Sequence, residues 1–143
     1  MDLKQTLQQY HAALDAFSRG DPAPVKNMFS HGDDVTLANP FGPAVKGWAR
    51  AAEALDFASS RFRDGDVARC ELIAEYVTSD LATILEIEHW RAKVSGRDEV
   101  SNFTLRVTST FRKEDGEWRV VHRHADPIVT AHPDGPLRSV GNS

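Results

Sequence analysis

The chain has 143 residues, 41% hydrophobic and 27% charged, with 17 basic and 21 acidic side chains and a formal net charge of −4. That length and balance predict one folded globular domain, neither two domains nor a disordered chain. Each half of the sequence carries −2, so there is no basic block to hold nucleic acid, and no apolar run approaches the ~20 residues of a membrane span.

The first predicted element is a helix, because Leu3, Leu7, Tyr10, Leu14 and Phe17 fall on one helical face. Gly20 is its expected stop. Asp21-Pro22 reads as an N-cap followed by proline at the first helical position, opening a short helix with Val25, Met28 and Phe29. Ser30-His31-Gly32-Asp33 is turn chemistry, and Val35 and Leu37 alternate with Thr36 and Ala38 in a short strand. Two prolines and a glycine in Asn39-Pro40-Phe41-Gly42-Pro43 are expected to end all pairing there. Trp48, Ala52, Leu55, Ser59 and Phe62 mark a third helix, with Asp64-Gly65-Asp66 as its stop.

Four strands are expected after that. Cys70, Leu72, Ala74 and Tyr76 alternate with polar and apolar partners up to a turn at Thr78-Ser79-Asp80. Residues 81–94 form a long strand that is apolar on both faces, and Ser95-Gly96-Arg97-Asp98 is the next turn. Phe103, Leu105, Val107, Ser109 and Phe111 share one face of the third strand, and Asp115-Gly116 is a strong hairpin signal. Trp118, Val120, His122 and His124 are expected on one face of the last strand, which Pro127 ends. Residues 1–126 thus read as one domain and 127–143, rich in Pro, Gly and Ser, as a tail that is mobile or draped on a partner. Helices segregated from a mainly antiparallel sheet predict an α+β fold, in which a curved sheet wraps over a few helices and leaves a cavity between them.

Three stretches carry a family resemblance: Gln9-Tyr10-His11-Ala12-Ala13-Leu14, Val35-Thr36-Leu37-Ala38-Asn39-Pro40-Phe41-Gly42, and Phe111 through the Asp115-Gly116 turn to His124. They resemble the first helix, the first strand with its Pro-x-Gly turn, and the final hairpin of the NTF2-like superfamily. The match is to its SnoaL-like and ketosteroid-isomerase-like group, and the hairpin is also similar to the association domain of calmodulin-dependent kinases. The resemblance implies a cone-shaped, cystatin-like α+β fold with three N-terminal helices on a curved mixed or antiparallel sheet. It also implies a homodimer and a pocket at the wide end. Members are isomerases, cyclases, dehydratases, transport adaptors or assembly modules, and fold alone does not choose among them.

Steroid-type isomerisation needs a carboxylate base, with a tyrosine and a protonated acid to hold the oxyanion. By resemblance Tyr10 stands at the tyrosine position, Asn39 at that of the base and Ser109 at that of the acid. Asparagine takes up no proton, so the base is lost, although Asn39 can donate a hydrogen bond to a carbonyl. Tyr10 has a second reading as a core residue on the apolar stripe.

His122 and His124 are the most chemical feature of the sequence. As alternate residues on one face, their Cβ atoms lie about 7 Å apart, and in the family this side faces the pocket. They read as hydrogen-bonding structural residues, as ligand contacts with one imidazole as acid or base, or as metal ligands with a carboxylate. Asp126 continues their face, and Glu86 and Glu88 share one face of the strand 81–94. Phe41, Trp48 and Phe111 are the aromatics chosen for the pocket. Arg106, Arg112, Arg119 and Arg123 are expected opposite the histidines, on an exposed or dimer-facing surface.

No GxGxxG, Walker A or G-x-S-x-G pattern occurs, and the single cysteine, Cys70, allows no intrachain disulfide and reads as an inert thiol in mid-strand. Met1-Asp2-Leu3-Lys4 does not open a secretory signal. The expectation is a cytoplasmic protein that binds a small hydrophobic ligand and engages no nucleic acid, membrane, metal or cofactor. Any reaction would be isomerisation, cyclisation or dehydration of a hydrophobic oxygenated compound. In that case His122, His124, Tyr10 and Asp126 are the catalytic candidates, and Asn39, Phe41, Trp48, Ser109 and Phe111 the ligand-binding ones. The rival reading is a non-catalytic dimerisation or assembly module.

Overall fold

Asp2 opens the first helix with a reciprocal cap: its side chain accepts from the Gln5 amide at 2.8 Å, and the Gln5 side chain accepts from the Asp2 amide at 3.1 Å. A computed structural model describes residues 1–135. The expectation for the tail therefore lies, for residues 136–143, outside the described residues. Helix α1 (Leu3–Ser18) buries Tyr10, Leu14 and Phe17 of the predicted stripe, with Ala13 beside them, while Leu3 and Leu7 are half-buried. Gly20 follows at φ +93°. Helix α2 (Ala23–Met28) begins one residue later than expected: Pro22 is the cap, and Asp21 accepts from the Ala23 amide at 3.1 Å.

The prolines near residue 40 do not end pairing. Strand β1 (Thr36–Asn39) turns into β2 (Gly42–Lys46), with Thr36 opposite Lys46 and Leu37 opposite Val45. Pro43 is tolerated because β2 is an edge strand, whose outer side needs no amide donors. Helix α3 (Trp48–Ser60) ends before Phe62, which begins strand β3 (Phe62–Val77). Asp64-Gly65-Asp66, expected as a helix stop, is instead an irregularity within β3, where Asp64 takes φ +53° and the pairing slips between Arg63 and Asp66. A Cβ on Gly65 would stand 2.5 Å from the Arg91 carbonyl oxygen and 2.9 Å from that of Ser18. Only glycine lets the strand pass that close to its neighbours.

Strands β4 (Leu81–Val94), β5 (Val100–Glu114) and β6 (Glu117–Asp126) complete a six-stranded sheet in the order β2-β1-β6-β5-β4-β3. Among the described strands β1 and β6 alone pair in parallel, beside an isolated parallel bridge between Phe29 and Val120. The β5–β6 turn is the predicted Asp115-Gly116, at φ +51° and +81°. Helix α1 packs across β3 and β4, and α3 against β1, β2 and β3. The architecture is α+β, with the core between the helices and one face of a mixed sheet. No helix among the described residues is long and apolar enough to cross a membrane.

One feature of β6 sets the chemistry of the interior. Val120 pairs with Phe111, but Thr110 pairs with His122, so Val121 is an extra residue, a β-bulge. Before the bulge Trp118 and Val120 face inward; after it Arg123 and Ala125 do. This corrects two expectations. His122 and His124 lie on the outer face, and Arg123 lies inside.

Candidate ligand-binding site

Between the helices and the sheet lies a cavity of about 210 Å³. Phe17 of α1, Phe62 of β3, Trp90 of β4 and Phe103 of β5 form an aromatic wall, with Leu37 and Leu55 opposite. Trp90 and Phe103 stack at 5.6 Å, and Phe17 meets Trp90 edge-on at 6.3 Å. Asn39, Pro40 and Phe41 belong to the lining at the β1–β2 turn, where the Asn39 side chain accepts from the Phe41 amide at 3.0 Å.

Arg123 is the one charged residue in this lining, and its side chain is only 7% exposed. Its guanidinium donates to Glu88 through Nη1 at 2.9 Å and Nη2 at 2.8 Å, and Nη1 also donates to the Tyr10 hydroxyl at 3.0 Å. Glu88 is fully buried and accepts a further bond from the Trp90 indole at 3.0 Å. Burial opposes the Arg123 charge, but the Glu88 carboxylate and the Tyr10 hydroxyl outweigh it and hold the group above the usual arginine range. Burial likewise raises the Tyr10 phenol, against the pull of Arg123. Three of the five guanidinium N–H donors are used, which leaves Nε–H and one Nη2–H. The Ser109 hydroxyl, opposite Arg123 in the β5–β6 pairing, is buried without a hydrogen-bond partner.

One step further along β4, buried Glu86 faces α1. Both its oxygens take their hydrogen bonds from one atom, His11 Nε2, at 2.8 and 3.1 Å. Glu86, Glu88 and Trp90 therefore line one inward stripe.

The other candidates are dispersed. Tyr10 meets Phe111 edge-on at 5.6 Å, and Phe111 is fully buried behind the cavity. Trp48 stacks on His31 at 3.9 Å and lies outside the lining. Of the three chosen aromatics, only Phe41 reaches the cavity. His122 shares a hydrogen bond with Thr36 Oγ1 at 2.8 Å, and burial followed by the charge of His124 lowers its pKa. His124 is half-exposed and lies 3.4 Å from Asp126, which Arg106 also binds at 2.7 Å. The bulge thus takes both histidines and Asp126 to the opposite side of the sheet from the cavity. Arg123 was expected on the outside, and the signal that could have placed it is the apolar doublet Val120-Val121, which breaks the alternation ahead of it.

The fold is similar to several solved structures. An NTF2-like superfamily protein from Salmonella enterica aligns at TM-score 0.74 and 20% identity, over 92% of each chain. A ketosteroid isomerase-like protein from Erwinia carotovora aligns at TM-score 0.71 and 19% identity, over 90% of this chain and 95% of the other. A candidate calcium/calmodulin-dependent protein kinase type II association domain from Thiobacillus denitrificans aligns at TM-score 0.68 and 21% identity, over 88% and 94%. No curated protein matches the chain. The SnoaL-like domain model matches residues 3–130, from the first residue of α1 to beyond the end of β6, and on that match the chain belongs to the SnoaL-like domain family.

Proposed function

We propose that the chain binds a small, mainly apolar molecule carrying one oxygen function, with that oxygen on Arg123. The observation that carries this is a guanidinium with two unused donors, fixed by Glu88 and Tyr10, at the wall of a mainly apolar cavity. Because Glu88 already neutralises Arg123, the site favours a carbonyl or hydroxyl over a second carboxylate. At about 210 Å³ the space is below the ~300–1,000 Å³ of ordinary ligand pockets, which suits one or two fused rings. Among the described residues no carboxylate or imidazole lines the cavity, and Glu88 reaches it only through Arg123, so the role is recognition, with any isomerase, cyclase or dehydratase step depending on the substrate's own acidity.

Titration with 1-tetralone and with its deoxygenated analogue tetralin, followed by intrinsic tryptophan fluorescence, to which Trp90 at the cavity wall contributes, tests this. Tetralone binding at least about tenfold tighter than tetralin supports it, since a hydrogen bond to a charged donor contributes roughly 1.5–3 kcal/mol. Equal affinities, or no saturable binding of either, overturn it. Ala125→Leu, which fills the cavity from β6, should abolish binding while the protein stays folded.

A second reading, assembly into a homodimer, is favoured by the exposed apolar side chains Leu72, Ile73, Tyr76, Val77 and Leu81 along β3 and the start of β4. The two readings are compatible.

A further inference from the structure

We infer that His11, Cys70 and Glu86 form a binding site for a thiophilic divalent cation, zinc above all, between α1, β3 and β4. The imidazole nitrogen, the thiol sulfur and a carboxylate oxygen all lie within 4.8 Å of one another. One nitrogen, one sulfur and one oxygen ligand with a fourth position left for water is a set that zinc accepts. Bond lengths of about 2.0–2.3 Å at tetrahedral angles call for donors roughly 3–4 Å apart, so closing the site takes only a small contraction.

A further observation points to a cation here. Glu86 is 3% exposed, yet its two oxygens share a single donor, His11 Nε2. Its neighbour Glu88, equally buried, has a bidentate arginine and an indole. A carboxylate buried with one donor is under-compensated, and a cation between it and His11 would supply what is missing. Charge also balances: a divalent cation with one carboxylate, one thiolate and one neutral imidazole is net zero. Access is open, since the His11 side chain is 31% exposed.

The site has its own proton requirement. On coordination the S–H bond breaks, the sulfur keeps the electron pair and bonds the cation, and the proton leaves to solvent. The proton that His11 Nε2 donates to Glu86 also leaves to solvent, and Nε2 ligates through the freed lone pair while Nδ1 carries the one ring proton that remains. This site is separate from the cavity: along β4 it lies beyond Glu88 from Trp90.

The test is cobalt(II) titration of the chelator-stripped full-length protein at pH 7.5, with zinc as competitor. One cobalt per chain with a thiolate-to-metal charge-transfer band in the near ultraviolet, removed by zinc, supports the site. Cys70→Ser should abolish the band, and Glu86→Gln should weaken binding at least about tenfold, the least that even an outer partner of a metal ligand contributes. The wild-type band needs no variant, so misfolding of a mutant does not blur the result. Absence of the band in the wild-type protein overturns the proposal. So does binding that survives Cys70→Ser but is lost in His124→Ala, which would place the metal on the outer-face His124–Asp126 pair.

Discussion

Glu88 and Arg123 form a bidentate ion pair at 2.8 and 2.9 Å although they sit on strands that are not neighbours in the sheet. Strand β5 lies between β4 and β6, and the pair crosses above it in the interior. Such a pair is not a strong net source of stability, because both ions lose their water. Its effect is to fix a cation in a mostly apolar wall.

Breaking the pair from one side should therefore be costly. Glu88→Gln leaves Arg123 buried with the Tyr10 hydroxyl and an amide, and the expected loss is about 3–5 kcal/mol in urea unfolding. The double variant Glu88→Leu, Arg123→Met should recover most of that loss, because two apolar side chains replace two desolvated ions. It should also lose the preference for tetralone over tetralin. Stability and recognition would then separate, as they should if Arg123 serves the ligand.

At Gly65 strand β3 passes tight against β4 and the end of α1. With 2.5 Å to the Arg91 carbonyl, Gly65→Ala forces backbone to move and should lose at least about 2 kcal/mol by thermal or urea unfolding. Gly96→Ala is the control: no atom lies within 4 Å of the added methyl, and the change should stay within about 0.5 kcal/mol.

His122 gives the fold a signed pH dependence. Its folded pKa is lowered, first by burial and then by the charge of His124, while its uncharged neighbours Thr36 and Thr110 hold it in the sheet. Above the unfolded value of about 6.5 neither state is charged and nothing is lost. As pH falls below that value the unfolded chain takes up the proton first, so stability declines toward the lower folded pKa. In chelator, His122→Gln should flatten the decline between pH 7 and 5 relative to wild type. His124→Ala should shrink it by removing the second cause. An unchanged slope in His122→Gln would show that the imidazole does not contribute.

Much of this fold is legible in the sequence because its patterns are regular. The α1 stripe, the run 81–94 and the Asp115-Gly116 hairpin all obey a single period, and the structure keeps them. Glu86 and Glu88 were readable as sharing a face for the same reason. What escaped were places where one residue shifts the period. Val121 in β6 exchanges the faces of His122 and Arg123, and the slip around Gly65 hides the start of β3 behind a helix-stop signal. Alternation assigns a face only as far as the next bulge, and the bulge here falls just ahead of the residue that defines the site.

The apolar strip on β3 makes the last prediction. Tyr76 is 69% exposed, and Leu72, Ile73 and Val77 are each more than half exposed. Among the described residues nothing covers the exposed parts of these side chains, and a second copy that did so would contribute roughly 25 cal/mol per Å² of apolar surface. Because β3 is the free edge of the sheet, the strip also stands beside unpaired backbone groups. Sedimentation velocity at micromolar concentration should show a dimer, and Leu72→Asp with Tyr76→Asp should give a folded monomer that keeps tetralone binding. The cavity lies on the inner side of the sheet and draws on neither residue. A wild-type chain that sediments as a monomer across the concentration range would remove the assembly reading and leave ligand binding to stand alone.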